Sequence, residues 1–329
     1  MGRFALGQAV PRTEDPRLLR GDGRYVDDIR LPGECHAYML RSSHAHANIL
    51  GIDAGAATKM PGVIVIFTGE DWLKDGLGQH SIEIARTQRN GEAQFAPIRN
   101  AIEPERVRVI GDIVAMIVAE TINQAKDAAE KVQVTYEILP VLIDGKNAGN
   151  LDAPVLHENC PTNESYHYAA GDKERVQSAI RSAYHVTRLN TRINRITANT
   201  MEPRNCIGVY DHNFQRYTLY AATQLPHMIR KTLARDVLGI PETDLRVISP
   251  DVGGSFGMKQ AHAPENHACL WAARKIGRPV RWLSERSEGL ATDYHDRDQI
   301  TEAELALNEK GEFQALNVRN ICNIGAWLD

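Results

Sequence analysis

Three of the five residues in Gly253-Gly-Ser255-Phe-Gly257 are glycine, and they follow directly on an apolar run at 245–249. Glycine gives up more chain entropy on folding than any other residue, so such density is kept where the backbone must take positive φ or approach a ligand closely. A loop of this kind aims several backbone N–H groups at one point. Segment 249–260 therefore calls for a fold in which a strand ends at a backbone-lined binding loop. Three familiar loops do not account for it. A phosphate-binding P-loop needs Lys directly after the last Gly, and here Met258 separates Gly257 from Lys259. The G-x-G-x-x-G spacing of a dinucleotide site is absent. The G-x-S-x-G pattern of a nucleophile elbow is met formally by Ser255, with Asp293 and His295 downstream as nominal triad partners. Pro250-Asp251 break the strand-to-glycine run that an elbow requires, and an Asp and a His two residues apart are poorly placed for separate triad roles.

The rest of the chain supplies α+β elements around this loop. Residues 1–19 are polar, carry Pro11 and Pro16, and read as an extended arm. From 20 to 140, short apolar runs at 35–40, 49–52 and 63–68 are punctuated by Gly and Pro and predict strands. A polar stretch at 76–101 predicts a long loop. Runs 107–110 and 113–118 predict a strand pair turning at Gly111-Asp112. Asn123 is placed to cap a helix with Ala125, Ala128, Ala129 and Val132 on one side. The alternation at 132–136 predicts a further strand. Segment 141–165 is rich in Pro, Gly and Asn and predicts an exposed, protease-sensitive linker. From 166 to 329, strands are predicted at 217–222, 245–249 and 281–283, with one helix from Pro226 to Gly239 and another from Pro264 closed by Gly277. Runs 300–307 and 313–321 flank Asn308-Glu-Lys-Gly311, a hairpin turn with Gly at the left-handed position. The apolar end of the chain predicts an exposed patch made of Ile321, Ile324, Trp327 and Leu328, and hence self-association.

Composition excludes several roles. The formal net charge of −4 gives no basis for nucleic-acid or polybasic membrane binding. No stretch approaches the roughly 20 apolar residues of a membrane span, and the first twenty residues lack the apolar core of a signal peptide. The cytoplasm is the expected address. The five cysteines, Cys35, Cys160, Cys206, Cys269 and Cys322, are far apart, and no C-x2-C pair offers a zinc knuckle or iron–sulfur cradle. They are expected to be reduced and mostly buried. His44-Ala-His46 has the period of a strand, and a structural role is expected ahead of metal binding. Asp296-Arg-Asp298 is read as a hydrogen-bonded brace rather than an acid–base pair, and Trp271 and Trp282 as packing residues.

Several motifs in sequence carry a family resemblance. Val252-Gly-Gly-Ser-Phe-Gly-Met-Lys259 resembles the Gly-Gly-x-Phe-Gly-x-Lys loop of the large subunits of molybdenum hydroxylases, the xanthine dehydrogenase, carbon monoxide dehydrogenase and aldehyde oxidase family. Gly21-Asp-Gly-Arg-Tyr-Val-Asp-Asp-Ile-Arg-Leu-Pro-Gly33, Arg41-Ser-Ser-His-Ala-His46 and the stretch 112–139 resemble that family's α/β-hammerhead domain. Met201-Glu-Pro-Arg204, Ala222-Thr-Gln-Leu-Pro-His227 and Asp293-Tyr-His-Asp-Arg-Asp298 resemble the start of its cofactor-binding domain. The match is collinear from residue 7 to 329. It implies an N-terminal arm at 1–19, a hammerhead domain at 20–140, a linker at 141–165 and the first part of a molybdopterin-binding domain at 166–329.

The resemblance further implies a molybdenum ion on a pterin, in a dinucleotide form, held without a protein ligand to the metal. Gln224 would donate a hydrogen bond to the metal's apical oxo group, and the Phe256–Gly257 backbone would lie beside it. Gly253, Gly254 and Ser255 would complete the cradle by allowing close approach. Gln260 stands where purine-oxidising relatives carry a glutamate, which argues against a purine substrate. Iron–sulfur and FAD subunits would take the electrons. Family members are about twice as long, and their later half supplies an active-site arginine loop, the cysteine loop of the carbon monoxide branch and a glutamate general base. No catalytic residue is therefore assigned within this chain, the base being expected beyond Asp329. The chain alone is expected to show no turnover without a companion that carries the remainder.

Overall fold

A computed structural model describes residues 7, 9–80, 86–260 and 263–328. In the N-terminal segment, helix α1 (Asp15–Leu19) precedes strands β1 (Cys35–Arg41), β2 (Ala47–Asp53) and β3 (Val63–Thr68), and helix α2 (Gly69–Lys74) follows. Then come β4 (Arg106–Val107), β5 (Ile113–Ala119), helix α3 (Ile122–Ala129) and β6 (Gln133–Ile138). The later segment holds α4 (Lys173–Ser182), β7 (His185–Thr197), β8 (Asn205–Asp211), β9 (Arg216–Ala221), α5 (Pro226–Thr232) and β10 (Leu245–Ile248). It closes with α6 (Pro264–Ile276), β11 (Val280–Leu283), α7 (Arg286–Thr292), β12 (His295–Leu307) and β13 (Phe313–Cys322). No helix among the described residues is long and apolar enough to cross a membrane.

One seven-stranded mixed sheet, ordered β10-β9-β8-β11-β1-β5-β3, takes strands from both sides of segment 141–165. The junction is β1 against β11, parallel, with Cys35 opposite Val280. Arg281 fastens it: its guanidinium donates to Glu34 at 3.0 Å and to Asp27 at 3.2 Å. The two sequence segments are thus modules of one sheet. Strand β5 reads Ile-Val-Ala-Met-Ile-Val-Ala and is buried along its whole length, as a strand covered on both faces must be. Helix α6 lies on β8 so closely that a Cβ on Gly208 would stand 2.4 Å from the Cys269 carbonyl oxygen. That approach is why α6 is buried from Pro264 to Ala273.

Several local expectations change. Residues 15–19 form a helix inside the polar arm, and residues 1–6 and 8 of that arm lie outside the described residues. Thr121, not Asn123, caps α3, its hydroxyl accepting the Gln124 N–H at 3.3 Å. Residues 107 and 113 do not belong to one hairpin. β4 pairs with β2, while β5 crosses to β1 and β3, and Gly111-Asp112 forms the corner between two sheets. His44 packs edge-on against Tyr136, and His46 Nδ1 lies 2.9 Å from the Pro140 carbonyl, both structural roles. Cys35, Cys160, Cys206 and Cys269 are buried free thiols and Cys322 is exposed.

The end of the described chain is also not the patch that its apolar residues suggested. Ile324 is exposed, but Trp327 is only 8% exposed. Its indole N–H donates to Asp112 Oδ1 at 3.0 Å, with the Arg99 and Arg108 guanidinium groups 5.5 and 5.7 Å from the ring centroid. Polar partners buried with the ring hold it down. Exposed apolar side chains sit instead on the three-stranded sheet β13-β12-β7, at Leu189, Ile193, Phe313, Leu316 and Val318.

Glu103 lies in the cluster around Asp112. Burial, reinforced by the Asp112 carboxylate and opposed by Arg99 and Arg108, raises its carboxyl from 4.5 to about 8. The folded state holds this proton more tightly than the unfolded chain does. Its contribution to stability is full below pH 4.5 and is lost as pH rises through about 8. Glu103→Gln is therefore expected to flatten the fall in melting temperature between pH 5 and pH 8.5. A fall as steep as in the unsubstituted chain would show that Glu103 does not carry it.

Candidate functional site

β9 and β10 are parallel neighbours, Leu245 opposite Tyr217, joined through α5 and a π-helical turn, 233–238, that ends at left-handed Gly239. Their carboxyl ends point the same way. In open sheets with such βαβ units, ligands collect at those ends. Here they carry the two segments singled out in sequence, 222–225 after β9 and 249–257 after β10. Pro226 fixes where the first ends by starting α5.

The two loops are stitched together. Ser249 Oγ donates to the Thr223 carbonyl at 2.7 Å, Thr223 Oγ1 donates to the Lys259 carbonyl at 2.9 Å, and the Gln224 N–H reaches the same oxygen at 3.3 Å. Gly257 N–H donates to Gln224 Oε1 at 3.3 Å, and the Ser255 hydroxyl also donates to that atom. Gln224, Gly253, Gly254, Ser255, Phe256 and Gly257 are therefore neighbours around one opening, and Gln260 lies beside them, its Oε1 3.5 Å from Gln224 Nε2.

Backbone shape makes the opening. Gly254 and Gly257 both take φ of +98°, and Phe256 sits between them at +53°, left-handed for a residue with a side chain. A Cβ on Gly253 would stand 2.4 Å from Glu202 Cβ, so that position must be glycine. Above Gly257 nothing lies within 4 Å. Among the described residues, no acceptor takes the N–H groups of Gly254, Ser255 or Phe256. Three successive amides without acceptors among the described residues suit oxygen atoms bearing partial or full negative charge.

Beneath the loop lies an ionic layer that the sequence did not disclose. Glu202 Oε2 accepts Lys259 Nζ at 2.9 Å and the Gly253 N–H at 2.8 Å, and its Oε1 accepts Asn205 Nδ2 at 3.1 Å. Burial lowers the Lys259 pKa and Glu202 counters it. Arg204 donates to Glu265 at 2.8 Å and to Asp293 at 2.7 Å, and Arg41 donates to Glu265 at 2.6 Å. Burial alone would raise the Glu265 carboxyl; Arg204 and Arg41 overcome it and bring it from 4.5 to about 2. On the outer side, Asp251 accepts both Arg17 Nη atoms, at 2.5 and 2.6 Å, and the Arg24 N–H at 2.7 Å, which holds its carboxyl at about 2. Glu202 and Arg204 stand in Met201-Glu-Pro-Arg204, a motif noted for its resemblance only; two charges around a proline were the available signal.

These contacts dispose of the nucleophile-elbow reading. Ser255 Oγ is engaged by Gln224 and the Lys259 N–H, Asp293 by Arg204, and His295 is exposed on β12. Asp298 is a brace, accepting Asn323 Nδ2 at 2.8 Å, while Asp296 is exposed. Trp271 packs on Phe67 and Trp72, and Trp282 lies under Arg204. A groove of about 700 Å³ is lined by Tyr217, His227, Arg230 and Arg246. None of the loop residues lines it, so donor chemistry rather than volume locates the site.

Backbone amides without acceptors among the described residues thus stand at the ends of parallel strands in an α+β chain. Comparison with known proteins places it further. Residues 156–329 match the molybdopterin cofactor-binding domain, and residues 20–140 match the aldehyde oxidase and xanthine dehydrogenase a/b hammerhead domain. The nicotine 6-hydroxylase large subunit of Paenarthrobacter nicotinovorans is 34% identical over 99% of this chain and 39% of its own length. The carbon monoxide dehydrogenase large chain of Afipia carboxidovorans is 33% identical over 98% of this chain and 40% of its own. Quinoline 2-oxidoreductase from Pseudomonas putida superposes with a TM-score of 0.84 at 33% identity, over 97% of this chain and 39% of that one. The chain belongs to the molybdopterin-binding large subunits of the xanthine dehydrogenase, aldehyde oxidase and carbon monoxide dehydrogenase family, oxidoreductases that depend on molybdenum. It holds the hammerhead domain and the first part of the cofactor-binding domain, and spans about two fifths of the length of these relatives.

Breaking the inner pair tests what holds the loop. Glu202→Ala leaves Lys259 buried beside no carboxylate and frees Gly253 N–H, a loss on the order of 3 kcal/mol. Hydrogen exchange at the Gly253 and Gly257 amides, which have acceptors, should quicken well beyond that of α6. Equal slowing or quickening across both would mean the pair serves the whole domain rather than the loop.

Proposed function

We propose that this chain is the cofactor-cradling part of a molybdenum hydroxylase acting on an electron-poor carbon, in an aldehyde, an N-heterocycle or a related small molecule, with water as the oxygen source. The supporting observation is the row of amides at Gly254, Ser255 and Phe256, without acceptors among the described residues, next to Gly257, where an added Cβ would meet nothing within 4 Å. When bound, the molybdenum–pterin group, in a dinucleotide form, supplies the oxygen transfer and accepts two electrons. The chain's own part is to hold it. Gly253 and Gly254 let the backbone come close, Phe256 and Gly257 present the cradle, and Gln224 offers its amide N–H from the neighbouring loop.

Other parts of the reaction need other residues. Glu202 and Asp251, carboxylates hydrogen-bonded to the loop, are both committed to cations and backbone N–H groups. As the family resemblance implies, the proton acceptor would lie in the part of its relatives' length that this chain does not span. Among the described residues no group of three or more His, Cys, Asp or Glu is placed to hold a metal. Iron–sulfur and FAD carriers would accordingly belong to partner subunits. The relatives named above act on nicotine, carbon monoxide and quinoline yet match this chain almost end to end. That fits a shared cradle, with the substrate chosen mainly elsewhere. Gln260, in place of the glutamate of purine-oxidising relatives, speaks for a non-purine substrate. The committed carboxylates also favour a second reading, a scaffold that binds the group and turns nothing over alone.

The test is to produce the chain in cells that make the cofactor and to measure retained molybdenum and released pterin. About one of each per chain is expected. Gly257→Ala places a methyl in the space above the loop at a strain of roughly 1–2 kcal/mol, and should lower retained molybdenum at least tenfold with the fold intact by circular dichroism. A chain that retains neither metal nor pterin would end the reading, whereas full loading that stays without dye-linked turnover even when a companion segment carrying the remainder is supplied selects the scaffold.

A further inference from the structure

We propose that Ser255 is a positioning residue whose hydroxyl fixes the orientation of the Gln224 carboxamide, so that the amide NH2 and not its oxygen faces the open side of the loop. This rests on the reading of Gln224 as a donor to the bound group.

A glutamine amide can turn by half a rotation with almost no change in shape, exchanging a donor for an acceptor. Gln224 is exposed, so packing does not decide between the two. Hydrogen bonding does. Gly257 N–H can only donate, and the amide atom it faces at 3.3 Å must therefore be oxygen. That contact is long and would hold the group weakly alone. Ser255 supplies the second constraint. Its Oγ accepts the Lys259 N–H at 3.1 Å, which directs the hydroxyl hydrogen away from Lys259 and toward Gln224 Oε1. Lys259 N–H is itself fixed, because the Lys259 carbonyl is held by Thr223 and the side chain by Glu202. The chain of constraint runs from the buried ion pair through one backbone amide and one hydroxyl to the exposed carboxamide. Nε2 is left facing outward, 3.5 Å from Gln260 Oε1, with a hydrogen to spare for a ligand oxygen. Because the Ser255 hydroxyl hydrogen is already used, the Ser255 side chain has no hydrogen left to donate to a ligand, whereas its backbone N–H has.

Two measurements on the full chain decide the matter. In protein labelled with 15N at glutamine side chains, the heteronuclear NOE of the Gln224 amide, identified by its loss in Gln224→Met, is expected to approach backbone values. Ser255→Ala should reduce it to less than half while backbone amide signals of α6 and β8 stay in place, and Ser255→Thr, which keeps the hydroxyl, should restore it. Retained molybdenum after production in cofactor-making cells should follow the same order, about fivefold lower for Ser255→Ala and recovered in Ser255→Thr. An unchanged Gln224 NOE in Ser255→Ala overturns the proposal, as does recovery by neither measure in Ser255→Thr when that variant is folded. If the unsubstituted chain retains no molybdenum, the functional reading fails by itself, and the NOE alone still decides the role of Ser255.

Discussion

Glu265 stands in the first turn of α6, 1% exposed, with Arg204 from the start of β8 on one oxygen and Arg41 from the end of β1 on the other. Arg41 continues to Glu288 on α7, and Arg204 to Asp293 just beyond it. A carboxylate taken so far from water is tolerable only with its partners in place, and each partner is likewise dependent on it. The arrangement is therefore a lock with several keys. β1 comes from the N-terminal module and β8, α6 and α7 from the later one, so the two Arg41 pairs form only when both modules share the sheet. The negative charge also lies at the amino end of α6, where the helix dipole favours it. Apolar packing of β5, β8 and α6 would bring these elements near one another, but it is non-directional. The ion pairs are what fix one relative position, and the loops at the ends of β9 and β10 inherit it.

Local chemistry was legible where one short segment decides the outcome. The helix from Pro264 to Gly277 and the turn at Asn308–Gly311 carry their own start and stop signals, and both stand where the sequence placed them. Where distant partners decide, the sequence was silent. β7 is a 13-residue strand of mostly polar, exposed residues, His-Val-Thr-Arg-Leu-Asn-Thr-Arg-Ile-Asn-Arg-Ile-Thr, and nothing in its pattern predicts a strand until β12 pairs along it. The corner at Gly111 was read as a hairpin because two apolar runs flank it. Gly111 does turn the chain, at φ +96° with the Asp112 N–H on the Val109 carbonyl, but a Cβ there would also meet the Thr292 side chain at 2.5 Å, some 180 residues away, and the strands it joins pair elsewhere. Trp327 was read as exposed because it ends an apolar run, yet its partners Asp112, Arg99 and Arg108 belong to the other module.

The site divides along the same line. Its rim was legible in part, since glycine density announces a backbone loop, while Gln224 was singled out only through the family resemblance. Its foundation was not. Glu202 and Lys259 are 57 residues apart, and an ion pair leaves no periodicity in a sequence. Ser255 shows the converse. A serine between glycines suggests a nucleophile, and only the geometry reveals that its oxygen is occupied by a backbone amide and a carboxamide.

The split between rim and foundation has a physical consequence. Two cations close beneath the loop are neutralised in place, Lys259 by Glu202 and Arg204 by Glu265 and Asp293. The positive potential at the opening comes from backbone amides and one carboxamide. A free lysine there would attract any anion strongly and over a long range, with little regard to shape. Amides on a backbone held in left-handed conformation act over one hydrogen-bond length and in fixed directions. They are useful only if they do not move, because an amide displaced by an ångström loses most of its interaction. The buried charges thus do their part at one remove: they give up direct attraction to the ligand and supply rigidity to neutral donors that recognise it by position.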